Sequence, residues 1–286
     1  MIQSLTKTLA VIVSSTILAT LTVNATDMRG YLPNTLLATV FNTSHESTGP
    51  CPENMVLVTQ ALVPFCVDMY EATAAEGCHF ANPGTSEETA LNLANAACKA
   101  ASQPQVVPWT HVTQIEAQQA CSRAGKRLLK PDEWYKAALG TPDPSGAFTE
   151  DMCNVARNRA DGIAKTGDGM RCVSDSGAYD MVGNVWEWVD GSVAEGKFDG
   201  SALPQSGYVT EANLNGMAYT TGSAQDSRYG NDRFWSDPTI TAGIMRGGYY
   251  DNASHAGIYA TYAASPSTFS GDAVGFRCGV TPIVNA

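Results

Sequence analysis

The chain has 286 residues, 44% of them hydrophobic and 16% charged, and its formal net charge at neutral pH is −11. An excess of 28 Asp and Glu over 17 Lys and Arg argues against nucleic acid and against docking on anionic lipid, since both require a basic face. It suits an exported protein that holds cations.

Met1 to Lys7 forms a short basic start, Leu9 to Leu21 is apolar, and Val23-Asn24-Ala25 offers small residues for cleavage. That order reads as a secretory signal peptide over residues 1–25. Residues 26–50 are polar and mixed, ending in Thr48-Gly49-Pro50, and read as a leader. From Cys51 the composition becomes globular, and one domain is expected over 51–281. No later apolar run is long enough for a bilayer, so no membrane insertion is expected after cleavage. The eight cysteines are Cys51, Cys66, Cys78, Cys98, Cys121, Cys153, Cys172 and Cys278. An even number without any CxxC pair, in an exported chain, favours disulfides over metal thiolates; the connectivity stays open at this level.

Met55-Val56-Leu57-Val58 and Phe65 to Tyr70 are short strand-like runs separated by a turn. Residues 81–104, rich in Ala, Asn and Ser, read as an insertion with some helix between Cys78 and Cys98. Thr113 and Glu116 make a capping box, and Ala117, Ala120, Cys121 and Ala124 share one face before Gly125 ends the helix. Pro131 stands where a helix start tolerates proline, with Asp132 and Glu133 in the first turn. Trp134, Ala137 and Ala138 should then face inward, and Gly140 should stop that helix. From 141 to 274 Gly, Asp, Asn, Ser and Tyr dominate, which predicts long structured loops stapled by disulfides or metal ions.

Several motifs follow one another in a telling order. They are Phe65-Cys66-Val67-Asp68-Met69-Tyr70-Glu71-Ala72-Thr73, then Pro108-Trp109, then Ala124-Gly125-Lys126-Arg127-Leu128 with Asp132-Glu133-Trp134. Tyr179-Asp180-Met181-Val182-Gly183-Asn184-Val185-Trp186-Glu187-Trp188 comes next, then Met245-Arg246-Gly247-Gly248, and Gly275-Phe276-Arg277-Cys278 closes the series. Together they resemble the formylglycine-generating enzyme (sulfatase-modifying factor) family over roughly residues 51–280. The resemblance implies an α+β, C-type-lectin-like fold, a single domain with much irregular structure.

The oxidases of that family use a copper-binding cysteine pair just after the Arg-Gly-Gly motif. Here those two positions fall on Asn252 and Gly257, so no thiolate is available for Cu(I) and formylglycine-generating chemistry is not expected. The resemblance pairs Cys121 with Cys278. Order and proximity suggest Cys153 with Cys172, Cys51 with Cys66, and Cys78 with Cys98. Relatives with an iron centre use three histidines, whereas His45, His79, His111 and His255 are scattered, so no iron site is expected either. No serine-hydrolase elbow, P-loop, zinc-protease or EF-hand motif is present.

Calcium is the one cofactor the resemblance supplies, as one or two structural ions. The family's first ligand set maps onto Asn154, Val155, Asp168 and Met170, and its second onto Asp180, Gly183, Val185 and Glu187. Carboxylate, amide and carbonyl oxygens in irregular number suit a hard, flexible cation.

Two functional classes remain. Between Arg246 and Gly275 the residues Tyr249, Tyr250, Asn252, Ser254, His255, Tyr259, Thr261 and Tyr262 have the composition of an adaptable recognition surface. This stretch also resembles the variable region of retroelement-diversified proteins on the same fold. The favoured expectation is therefore a secreted or periplasmic binding or scaffold protein, its ligand an unknown protein or glycan. The alternative is a periplasmic tailoring oxidoreductase resembling the pyoverdine-maturation protein, for which no base, redox centre or pocket is legible.

Overall fold

A computed structural model describes residues 49–142 and 148–283; the signal peptide and almost all of the leader, read over residues 1–48, lie outside this range. The strands in chain order begin with β1 (Met55–Val58), β2 (Phe65–Asp68) and β3 (Ala72–Ala74), and helix α1 (Ser86–Ala94) leads to β4 (Ala100–Ser102). Helix α2 (Gln114–Arg123), β5 (Arg127–Leu128) and α3 (Pro131–Ala138) follow. After a long irregular stretch come β6 (Trp186–Val193), β7 (Lys197–Phe198), β8 (Ser201–Ala202), β9 (Gly207–Ala212) and β10 (Ala218–Gly222). The chain then runs through β11 (Arg233–Ser236), β12 (Ala242–Arg246), β13 (Thr261–Ala263), β14 (Val274–Phe276) and β15 (Cys278–Val280).

Local chemistry sets both expected helices. In α2 the Thr113 side chain accepts from Glu116 N–H while the Glu116 carboxylate accepts from Thr113 N–H. Ala117, Ala120 and Cys121 are buried, and Gly125 follows with φ +71°, a left-handed turn that glycine adopts without strain. In α3 Pro131 opens the helix, and Trp134, Ala137 and Ala138 are fully buried.

The principal sheet has seven strands in the order β10-β9-β11-β13-β12-β6-β14, and a smaller one runs β1-β2-β15-β5. Strand β6 pairs antiparallel with β12 on one side and parallel with β14 on the other. Helices α2 and α3 both pack on β6. Val189 and Ile244 join Phe65, Leu129 and Trp134 in one core, while Trp188, Met245 and Phe276 join Trp109, Ala117 and Ala120 in a second. Strands apolar on both faces are expected where a sheet has a core on each side.

The expectation of loops over 141–274 needs correction. Residues 148–185 are irregular, but the principal sheet is drawn entirely from 186–276. Its strands are short and register-shifted, and polar residues such as Glu187, Thr210 and Thr261 alternate with apolar ones. Pairing with strands distant in sequence makes the sheet, and periodicity within a window does not report it.

All four expected disulfides form: Cys51–Cys66, Cys78–Cys98, Cys121–Cys278 and Cys153–Cys172. They mark an oxidising compartment. No helix among the described residues is long and apolar enough to cross a membrane.

Candidate functional site

Register across the middle of the principal sheet assembles the site. Met245 lies opposite both Tyr262 and Trp188, and Trp186 lies opposite Val274. Side chains alternate along a strand, so Trp186, Met245, Tyr262 and Val274 share one face and Glu187, Arg246 and Gly275 the other. The first face, joined by Tyr249, Phe269 and Asp272 from the loops beyond β12 and β13, lines a cavity of about 220 Å³. Trp186, Trp235 and Tyr262 brace one another with centroid distances of 5.5, 5.8 and 6.1 Å, which fixes the ring walls before any ligand arrives. Phe269 is 40% exposed at the rim.

The eight residues expected to bind ligand divide. Tyr249 and Tyr262 line the groove. Tyr250 lies outside it, edge-on to Tyr249 and beneath the Arg157 guanidinium at 5.0 Å. Asn252 turns inward: its side-chain oxygen accepts from Tyr249 N–H and closes the turn. Ser254 and His255 sit in a single 3₁₀ turn, half-buried, with the His255 ring 3.2 Å from the Tyr208 hydroxyl. Burial, aided by Arg233, pushes the His255 pKa down, so the ring stays neutral around pH 7.

Tyr259 and Thr261 do not line the groove. Tyr259 packs between Tyr135 and Tyr229 with its hydroxyl 3.1 Å from that of Tyr135, and Thr261 is fully buried. Thr261 begins a strand, and the alternation that turns Tyr262 outward turns its neighbour inward. Sequence reading missed Trp186, Met245 and Asp272 as groove residues, and it also missed Trp235 behind them. Trp186 had been absorbed into a framework motif, and the others gain meaning only from strand register.

A second cavity of about 380 Å³ lies by the start of α3, lined by Lys130, Asp132, Asp190, Asp199 and their neighbours. It is polar, and Gln118 donates to Asp190 at its edge. Nothing there converges on a ligand as the rings do.

The opposite face of β6 and β12 carries a polar core. Glu187 is 1% exposed and accepts from Arg277 Nε and Nη2 and from Trp134 Nε1, at 2.6 to 2.8 Å. Arg277 also donates to the main-chain oxygens of Asp68 and Tyr179, tying β15 to β2. Asn184 donates to Glu71 and accepts from Asn154. Glu71 Oε1 and Asn154 Oδ1 are buried without a hydrogen-bond partner. Burial, then Asp180 and Glu187, raises Glu71 well above the usual carboxylate range, and chiefly burial pushes Asp180 up to about 6. Asp68 is paired with Lys126 and Glu187 with Arg277, while Asp180 feels Arg277 and Arg159 without a direct ion pair to either.

In the first expected calcium set Asn154 Oδ1 is buried without a hydrogen-bond partner, while the set's carboxylate already has a side-chain cation beside it. Asp168 is paired with Arg159 at 3.1 Å, and the guanidinium also donates to the main-chain oxygens of Glu150, Met152 and Asp168. The Arg159 side chain is 7% exposed, so its charge lies among those oxygens. Val155 O accepts from Ala253 N–H and keeps a second lone pair. In the second set Glu187 is committed to Arg277 and Trp134, while Asp180, Gly183 and Val185 remain compatible with a hard cation. Gly183 is required as such, since a β-carbon there would meet the main chain of Asn154. Among the described residues no three His, Cys, Asp or Glu side chains form a metal-binding group. An ion at the second set would rest on Asp180 and main-chain carbonyls, with the unpartnered Glu71 and Asn154 oxygens as further donors of the same hard kind.

The loop where cysteines were expected to be missing has been rebuilt around other contacts. A β-carbon at Gly257 would fall on the Asp232 carboxylate, which accepts from Tyr259 N–H. Asn252 caps its turn, and all eight cysteines are in disulfides.

The sulfatase-modifying factor enzyme 1-like domain model matches residues 45–281. The chain belongs to that family. Its α+β, C-type-lectin-like fold is the one described above, with few helices and one large sheet. A Bos taurus relative, inactive C-alpha-formylglycine-generating enzyme 2, is 36% identical over 95 residues, which are 28% of this chain and 32% of the relative. Among solved structures, the Major Tropism Determinant I1 variant is 17% identical with a TM-score of 0.43, covering 83% of this chain and 55% of its own. PvdO from Pseudomonas aeruginosa is 15% identical with a TM-score of 0.41, covering 76% and 80%. The family match thus spans the domain, while the curated relative is matched over about a third of its length. Likenesses at these identities and TM-scores say nothing of ligand or activity.

Proposed function

We propose that the chain is an exported binding or scaffold protein that uses the family's domain to present the aromatic groove at Trp186, Tyr249, Tyr262 and Phe269, without formylglycine-generating chemistry. The observation that carries this reading is the groove itself: a buried Trp186 flanked by the partly exposed rings of Tyr249, Tyr262 and Phe269, beside a loop whose cysteine positions hold a turn cap and a close-packed glycine. The relative named inactive supports the non-catalytic half. Four disulfides and the signal-like start support export.

Calcium has a narrower place in this reading than the family resemblance gave it. One ion would be held by Asp180 with the carbonyls of Gly183 and Val185, offsetting buried negative charge where α3, β2, β6 and β15 meet. Arg159 serves the other loop.

The test has two parts. Copper-loaded protein with a cysteine-containing peptide should consume no oxygen, before or after introducing Asn252→Cys with Gly257→Cys. A small-molecule and glycan array should give hits that Tyr249→Ala abolishes while the far-ultraviolet spectrum is unchanged. Copper-dependent oxygen uptake by the unaltered protein, or hits indifferent to Tyr249, would sink the reading.

A further inference from the structure

The groove is small, about 220 Å³ against the roughly 300–1,000 Å³ of pockets for drug-sized ligands, so it admits one head group rather than a chain. Its lining is unusual in kind: the rings of Trp186, Tyr249, Tyr262 and Phe269 line it together with Met245 and Val274. Ring faces carry the negative end of the aromatic quadrupole, and several rings around one point attract a cation that is weakly hydrated. An anion is repelled by the ring faces, and a sugar can stack a C–H face on a ring but brings no charge to it. At the mouth the exposed Asp272 adds a full negative charge, and it lies close enough to raise the Tyr249 hydroxyl together with burial and Asp251. Among the described residues no lysine or arginine is paired with Asp272. The nearby cation, Arg157, is drawn away by Asp161 and Asp251, each at 3.1 Å.

We infer that the groove binds the quaternary ammonium head of a small cation of the choline class. This deepens the binding function proposed above and rests on it. The methyl groups fill the ring cage, the positive charge is shared by the ring faces, and Asp272 meets the charge from the solvent side. A phosphate next to the ammonium would be turned away by Asp272, so a bare ammonium alcohol is preferred to a phosphocholine head.

Isothermal titration with choline, its neutral isostere 3,3-dimethylbutan-1-ol, and phosphocholine separates the contributions. Choline should bind saturably, about tenfold more tightly than the isostere, a ratio within the range of one desolvated cation–aromatic site. Asp272→Asn, a surface change that leaves folding intact, should weaken choline several-fold and leave the isostere unaffected. Tyr262→Leu keeps an apolar wall and should lose most of the preference for the charged ligand. Equal affinity for choline and the isostere overturns the ammonium assignment yet leaves an apolar groove, and with it the binding function. No saturable heat with choline, or phosphocholine binding more tightly than choline, also overturns the inference. The binding function itself fails only by the array and oxygen measurements.

Discussion

Asp180 and Asp168 both look like calcium ligands in the sequence, yet their surroundings give them opposite roles. Asp180 is buried among carboxylates and its pKa stands near 6, whereas Asp168 is held by the Arg159 guanidinium. Added calcium should therefore raise the melting temperature of the unaltered protein by mass action. Asp180→Ala should remove that response, and Asp168→Ala should lower stability without removing it. A calcium response lost with Asp168 and kept without Asp180 would reverse the assignment. A pH dependence follows from the same groups. A folded-state pKa raised from 3.8 to about 6 means that the folded protein binds more protons than the unfolded chain between those values. In chelator, the contribution of Asp180 to stability is thus full below about pH 4 and is lost as pH rises through 6, by a few kcal/mol in order of magnitude. Saturating calcium should flatten this slope in urea unfolding. A residue-scale contrast also separates Tyr250 from Tyr259. Tyr250→Ser, half-buried beneath Arg157, should cost about 1 kcal/mol. Tyr259→Ala should cost more, about 2–3 kcal/mol, since it empties a half-buried site between Tyr135 and Tyr229.

At the scale of elements, α2 was legible because its signals are local. The capping box, the alanine face and the terminal glycine all act within one window of chain, and the helix packs where that face directs it. Thr113→Ala should cost about 1 kcal/mol, seen as a lower urea midpoint with unchanged slope. A neutral result would mean that packing on β6 alone holds the helix. The strands of the principal sheet carry no such signals. β13 is three residues, pairs parallel with β11 and antiparallel with β12, and draws its meaning from both. Thr261 and Tyr262 therefore looked alike in the sequence, although one is core and the other lines a groove.

Across the whole molecule, Cys121–Cys278 joins α2 to β15 across 157 residues, while Cys78–Cys98 closes a loop of 20 around α1. Loop-closure entropy grows with the logarithm of loop length, so removing the long link should cost about 2 kcal/mol more than removing the short one. Paired Cys→Ser variants compared by urea unfolding at fixed calcium would measure this. Equal losses would show that local strain or unfolded-state structure outweighs loop length. The long link lies beside Arg277, whose guanidinium ties β15 to Glu187 on β6, so the last strand is secured both covalently and by charge.

By itself the sequence determined the family and fold, the two capped helices, the oxidised cysteines and the loss of the copper-binding pair. Each of these rests on residue identity, or on patterns that complete themselves within a short stretch of chain. Tertiary structure decided the rest. It set Arg159 against Asp168 and the carbonyls around it, buried Glu71 and Asp180 among other carboxylates, and turned Trp186 from a framework residue into a groove wall. Those outcomes depend on which distant groups share a small volume. Burial, charge balance and strand register are properties of that volume, and no window of the chain contains them.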